Sequence, residues 1–267
     1  KSELGAAELL LREALETRRE TLGNRHADTL TSIGELGGLL KSKGDEGDFA
    51  AAKLLFREAL ETRRETLGNR HPTTLRSISR FGLLLEDKDD LTAAEPLLRE
   101  AVEGRRETLG NRHPDTLTSI GNLGRLLKSK GDLGAAVPLL RQVVEVRRKT
   151  LGNRHPDTLL SIKSLGMLLR DKGDLAAALA LFREALEGQR ETLGNRHPDT
   201  LRSISSLGML LNVKGDLAAA VPLLREELEE ERETLGNRHP DTLLSTSYLG
   251  LLLANKGDLA AAEPLLR

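Results

Sequence analysis

One nine-residue tract, Leu-Gly-Asn-Arg-His-Pro-Asp-Thr-Leu, recurs along the whole chain. It occupies Leu109–Leu117, Leu151–Leu159, Leu193–Leu201 and Leu235–Leu243, with near-copies at Leu22–Leu30 and Leu67–Leu75. The histidines inside it, His26, His71, His113, His155, His197 and His239, stand 45, 42, 42, 42 and 42 residues apart. A unit of this size cannot bury its apolar face alone, so repetition at a fixed period means stacking on neighbours. The expectation is one solenoid over residues 1–267, with six periods of 42 residues and the first lengthened to 45. Residues 1–12 align without gaps to residues 130–141, Arg267 shares their phase, and no polar capping repeat closes either end. The chain is therefore expected to be a piece of a longer array.

A single period, His113–Gly152, predicts two helices. Pro114 suits a first helical position, where its missing N–H has no intrahelical partner, and Asp115 complements the positive end of the helix dipole. Leu117, Ile120, Leu123, Leu126 and Leu127 form one apolar stripe at helical spacing. Gly131 reads as a left-handed stop and Asp132 as the N-cap of a second helix. Leu133, Ala136, Leu139, Leu140, Val143, Val144 and Leu151 continue an apolar face until Gly152 closes it. Two stops per period mean antiparallel helix pairs and an all-α fold.

Some positions carry specific expectations. Gly82, Gly124, Gly166, Gly208 and Gly250 recur inside the first helix, although a mid-helix glycine costs ~1 kcal/mol against alanine. The two helices of a unit are expected to cross there, and Ala94, Ala136, Ala178, Ala220 and Ala262 recur as small residues on the second helix. Pro96, Pro138, Pro222 and Pro264 should bend or delay the second helix. The three extra residues Gly44-Asp45-Glu46 should lengthen a turn and leave Asp48 as the N-cap. Asp89, which replaces glycine, should weaken its turn.

The pattern Ile78, Phe81-Gly82, Leu85, Ala94, Leu98 and Ala101 resembles the tetratricopeptide repeat, and it recurs as Ile204, Leu207-Gly208, Leu211, Ala220 and Leu224, departing only at Glu227. The usual aromatic positions are aliphatic, in keeping with an aromatic content of 2%. The 42-residue period, the His-Pro-Asp-Thr tract and the Glu-Ala-Leu-Glu segments are similar to the kinesin light chain subfamily. Of the paired asparagines that subfamily often carries on the first helix, only Asn122 is present. The resemblance implies a right-handed superhelical solenoid whose first helices line a concave groove for protein partners.

Comparing the six copies internally shows where function could reside. Core and turn positions barely vary, whereas solvent positions of the first helix vary strongly. The candidate partner-binding residues are Arg76, Arg80, Asn122, Arg125, Lys128, Lys163, Ser164, Arg170, Arg202, Ser206, Asn212 and Tyr248. Over all the variable solvent positions of the first helices, which add Lys41, Glu35, Glu86, Asp87 and Asp171, basic side chains outnumber acidic ones eight to four, and the last repeat is more apolar, with Leu244, Tyr248 and Leu251. This favours a protein or peptide segment with acidic residues toward its middle, held by forked arginine hydrogen bonds, with Asn122 on a main-chain amide. Arg-Glu-rich runs on the second helix, such as Arg99-Glu100, Glu103 and Arg105-Arg106-Glu107, read as a solvated outer face.

Other classes of function fit less well. The formal net charge is -1, which argues against nucleic acid or membrane as a partner. There is no cysteine, which excludes disulfides and thiolate metal sites and permits a reducing, cytoplasmic compartment. No phosphate loop, nucleophile elbow or metalloprotease motif appears, so neither an enzyme nor a cofactor is expected. Stacked turns lie ~10 Å apart, too far for two histidines to share zinc at ~2.0–2.1 Å per bond. The histidines are expected to start helices, and Arg25, Arg70, Arg112, Arg154, Arg196 and Arg238 to bond neighbouring turns. The leading expectation is a non-enzymatic interaction scaffold. The alternatives are a structural spacer or assembly subunit, or a sensor array of a signalling protein. Apolar ends, including Leu265 and Leu266, make end-to-end self-association a further expectation.

Overall fold

The computed structural model describes residues 2–267, which form thirteen helices and no strand. It divides into two compact units. The first unit spans residues 1–132 and contains α1 (Ser2–Leu22), α2 (Ala27–Lys43), α3 (Glu46–Leu67), α4 (Pro72–Asp87), α5 (Leu91–Leu109) and α6 (Pro114–Ser129). The second spans residues 133–267 and contains α7 (Leu133–Leu151), α8 (Pro156–Asp171), α9 (Leu175–Leu193), α10 (Pro198–Val213), α11 (Leu217–Thr234), α12 (Pro240–Lys256) and α13 (Leu259–Leu266). In each unit every helix packs on the next in the chain, and short turns make neighbours antiparallel. Among the described residues no helix is long and apolar enough to cross a membrane.

Each even-numbered helix starts the same way. The histidine is the N-cap in extended conformation, and its Nδ1 accepts the N–H two residues on, at 3.1 Å in His113, His155 and His197. That bond satisfies one of the orphan N–H groups of the first turn. The Nδ1 atom is thus occupied as an acceptor, which places the ring proton of the neutral form on Nε2. The second helix of a pair starts from an aspartate: Asp90, Asp174, Asp216 and Asp258 accept from Ala93, Ala177, Ala219 and Ala261 at 3.3, 3.1, 3.1 and 3.2 Å.

The apolar stripe of α4 (Leu75, Ile78, Phe81, Leu84 and Leu85) is buried against Ala94, Leu98 and Ala101 of α5. Each fully buried Leu or Ile contributes ~1.5–3 kcal/mol. The glycine that recurs in the repeats does lie where the two helices of a unit meet, and a large side chain of the second helix fills the space it leaves. A Cβ built on Gly82 would sit 2.9 Å from Leu98 Cδ2, and one on Gly166 would sit 2.7 Å from Phe182 Cε1. That side chain stands one helical turn beyond the buried alanine of the second helix.

Three further expectations are corrected or sharpened. The prolines do not delay the second helix: α5 with Pro96 and α9 with Ala180 both begin one residue after their aspartate cap. Pro96 removes only the hydrogen bond to the Thr92 carbonyl, and the remaining turns stay helical. The extra residues in the first period extend α3 to 22 residues instead of lengthening the turn, and Asp45 is its N-cap. Asp48 lies inside that helix, paired with Lys43 at 2.9 Å. Asp89 adopts φ 61°, the one positive φ of a non-glycine residue among those described.

The Arg-Glu runs are not a merely solvated face. In the first unit Arg19 pairs with Glu58 at 2.7 Å and Arg64 with Glu100 at 2.5 Å. In the second, Arg148 pairs with Glu184 and Arg190 with Glu226, both at 2.6 Å. The turn arginines add a parallel row: Arg25 to Glu65, Arg70 to Glu107, and Arg154 to Glu191. Each pair links one repeat to the next; the turn arginines do so through a glutamate near the end of the next second helix rather than through the neighbouring turn. Half-exposed pairs contribute ~0–1 kcal/mol each, so they serve register more than stability.

Candidate partner-binding faces

In the first unit the candidate residues project from α4 and α6. Arg76 and Arg80 are exposed on α4 and, among the described residues, make no ion pair or hydrogen bond. Asn122 and Lys128 are half-buried on α6. Arg125 is exposed but committed, holding Glu86 through Nε at 3.0 Å and Nη2 at 2.9 Å. Lys41 is likewise held by Asp87 at 2.5 Å. The basic excess expected from the sequence is therefore smaller in fact, because acids of the same face neutralise part of it.

What strengthens the positive field comes from the second helices. Arg63 on α3 is buried, with Nη1 donating to Ser77 Oγ at 2.6 Å. Arg105 on α5 is half-buried and donates to Ser79 Oγ at 3.2 Å and to Ser119 Oγ. Burial, then the charges of Arg76 and Arg80, pulls the Arg63 guanidinium below the ordinary arginine range. Burial and Arg76 act the same way on Arg105, with Asp115 opposing. Four arginines thus share one field, two of them anchored in the wall. The sequence reading missed Arg63 and Arg105 because they sit in the charged runs of the second helix. The signal was the serine facing each of them, which recurs in every period.

In the second unit the candidate residues come from α8, α10 and α12. Arg202 is exposed and pairs with Asp199 at 2.9 Å. Arg170 is half-buried and pairs with Asp171 at 2.8 Å. Ser164 and Ser206 donate to the carbonyls of Leu160 and Arg202 and so present no free hydroxyl proton. Asn212 donates to the Tyr248 hydroxyl at 3.2 Å, joining α10 to α12. Lys163, Arg202, Ser206 and Tyr248 all line a cavity of about 790 Å³.

The wall of that cavity contains two residues absent from the candidate set, Glu227 and Glu231 of α11. Both are buried, at 4% and 6% exposure. Burial first, then the Glu231 charge, pushes the Glu227 carboxyl up to about 8, against a Ser205 hydrogen bond and the Lys163 charge. Burial also raises Glu231, and Asp241 adds to the effect, while a Ser245 hydrogen bond and His239 oppose it. Lys163 is lowered by burial and by Arg202, with Asp199 and Glu227 opposing. The departure at Glu227 was visible in the sequence as a broken alanine position; that it faces a cavity was not. Among the described residues no group of three or more His, Asp or Glu side chains could hold a metal ion.

Family models described as tetratricopeptide repeat match residues 44–107, 77–149, 129–191, 157–229 and 2–28. A crystal structure of the nearly identical TPR-like repeats of a Podosopora anserina protein, described as a kinesin light chain, is 31% identical. It covers 73% of this chain and 92% of its own, with a TM-score of 0.68. BtubC (BKLC) from P. vanneervenii shares the fold at 20% identity, with 82% and 86% coverage and a TM-score of 0.67. The tetratricopeptide repeat sensor protein of the signal transduction ATPase class from Pyrococcus horikoshii matches at 14% identity and a TM-score of 0.71, over 97% of this chain and 40% of its own. No curated protein matches the chain.

Proposed function

We infer, from the premise that the chain belongs to the tetratricopeptide-repeat family in its kinesin light chain-like form, that its first-helix faces capture an extended segment of a protein partner. Members of this family are generally non-enzymatic protein–protein interaction scaffolds. The finer reading is a preformed groove that accepts acidic side chains in the first unit. The observation that carries it is the unpaired Arg76 and Arg80 above the anchored Arg63. Planar guanidinium groups held in place form forked hydrogen bonds to carboxylates with little loss of side-chain entropy. Preformed surfaces of this kind bind with small backbone rearrangement.

The test is site-specific photocrosslinking. A photoreactive residue at Arg80 is expected to capture the partner, and one at the exposed second-helix residue Arg57 is not. Capture at position 57 alone would move the function to the outer face and to an architectural role. Exposed Leu9 and Leu10 on α1 and Leu266 on α13 keep end-to-end association within the proposal. A strictly monomeric sedimentation profile at high concentration would remove it.

A further inference from the structure

The cavity lined by α8, α10, α11 and α12 breaks the repeat in a directed way. Where α11 carries Glu227, the other second helices carry Ala14, Ala59, Ala101, Val143 and Ala185, all buried except the half-buried Ala14. Where it carries Glu231, they carry Arg18, Arg63, Arg105, Arg147 and Gln189. In one period, therefore, an apolar core position and an arginine position have both become buried carboxyl groups. A buried carboxyl group is costly unless something compensates it. Compensation is incomplete here: Glu231 is 6% exposed, and its Oε2 has no hydrogen-bond partner.

The surroundings narrow what could complete it. The charged groups facing the pair are Lys163 from α8, Arg196 from the turn before α10, Arg202 from α10, and His239 and Asp241 at the start of α12. Lys163 acts on Glu227 and leaves Glu231 Oε2 unpaired. The rest of the lining is largely apolar, including Met167, Met209, Leu244 and Tyr248. A metal would need more ligands than two carboxylates. An ammonium group on an unbranched aliphatic stem fits both parts, because the stem covers apolar surface while three N–H donors meet the carboxyl oxygens.

We propose that this cavity is a subsite for a lysine side chain of the partner segment, with the ammonium group received by Glu227 and Glu231 and the stem lying against Met167 and Met209. It rests on the reading of the first-helix faces as partner-binding and adds a second chemical preference to it, confined to the second unit. With its carboxyl group raised to about 8, Glu227 is largely protonated at neutral pH. Arrival of the cation displaces that proton to solvent and leaves a carboxylate. Affinity should therefore rise with pH up to about 8, where a lysine ammonium, with a pKa of ~10.4, is still charged.

The chain contains two methionines, and both line this cavity. Labelled with carbon-13 at the methyl group, they give two NMR signals that report on it directly. The probe is Nα-acetyl-lysine methylamide, with its Nε-acetylated form as control. Saturable movement of both signals by the lysine probe, absent with the acetylated one, supports the subsite. Glu231→Gln, which introduces the residue found at Gln189, should weaken the response at least ~10-fold. Glu227→Ala, which restores the residue found at Ala185, should remove the Glu227 part of the pH dependence, otherwise approaching ~10-fold per unit just below pH 8, and leave only that of Glu231. Helical circular dichroism confirms that both variants fold. Silent methyl signals, or equal responses to both probes or in the Glu231 variant, would overturn the proposal. The titration needs no partner, so a silent cavity with crosslinking retained at position 80 sinks the subsite alone. Responsive methyls with crosslinking only at position 57 sink the groove reading alone.

Discussion

Glu227 stands where Ala185 stands one repeat earlier, and both are buried, at 4% and 0% exposure. The backbone there is built for a small side chain, yet a carboxyl group occupies it with its proton retained up to about pH 8. Because the folded-state value lies above the ordinary carboxylate range, the folded chain holds the proton more tightly than the unfolded one. The associated stability is fully present below about pH 4.5 and is lost as pH rises through about 8.

Glu227→Ala should therefore gain stability over the native chain as pH increases. Near pH 7 the difference reaches on the order of 3 kcal/mol, and below pH 4.5 this contribution vanishes. Urea melts of both proteins across pH 4 to 9 measure it. Parallel curves would show that Glu227 does not titrate differently on folding.

The histidine caps predict a chemical specificity. His113→Ala removes the acceptor for the Asp115 N–H and should cost ~0.5–2 kcal/mol, whereas His113→Asn keeps a side-chain acceptor and should cost far less. Thermal melts of the pair test this, and equal losses would assign the histidine a packing role instead.

Gly166 faces the Phe182 ring, and an added Cβ would approach it to 2.7 Å. Gly166→Ala gains ~1 kcal/mol of helix propensity but forces a rigid ring aside in a filled core, which costs ~1–3 kcal/mol. The net expectation is a lower Tm. A higher Tm would mean that the ring repacks without strain.

Asp89 occupies a left-handed conformation that its neighbours give to glycine. Asp89→Gly should stabilise the first unit by up to ~1 kcal/mol while leaving the Asp90 cap in place. Amide exchange in the turn between α4 and α5 should slow in the variant. Unchanged exchange would show that the aspartate is unstrained.

Much of the architecture was readable from local rules. The caps, the glycine stops and the apolar stripes each depend on residues within a few positions, and the described helix pairs follow them except at Asp89, which stands at a glycine stop, and at Asp45, which begins α3 without a side-chain cap bond. Errors arose where a local rule had two solutions. Gly44-Asp45-Glu46 could lengthen a turn or extend a helix, and in the structure the helix is extended from Asp45. Pro96 could delay a helix, but the preceding turn already had its cap in Asp90 and lost only one hydrogen bond. On the functional faces, sequence comparison identified the variable positions but not their pairing. That Glu86 ties down Arg125 depends on two side chains meeting across repeats.

Periodicity by itself determined the fold class, the number of helices per repeat and the turn chemistry, because those follow from backbone hydrogen bonding and the helical spacing of apolar residues. Only the tertiary structure decided which charges remain free. Arg63 and Arg105 reinforce one face, and Glu227 and Glu231 open onto a cavity in the other unit. The physical reason is that a charge acts through its neighbours in space and the water it has lost, and stacked repeats set both from residues roughly 40 positions apart in the chain.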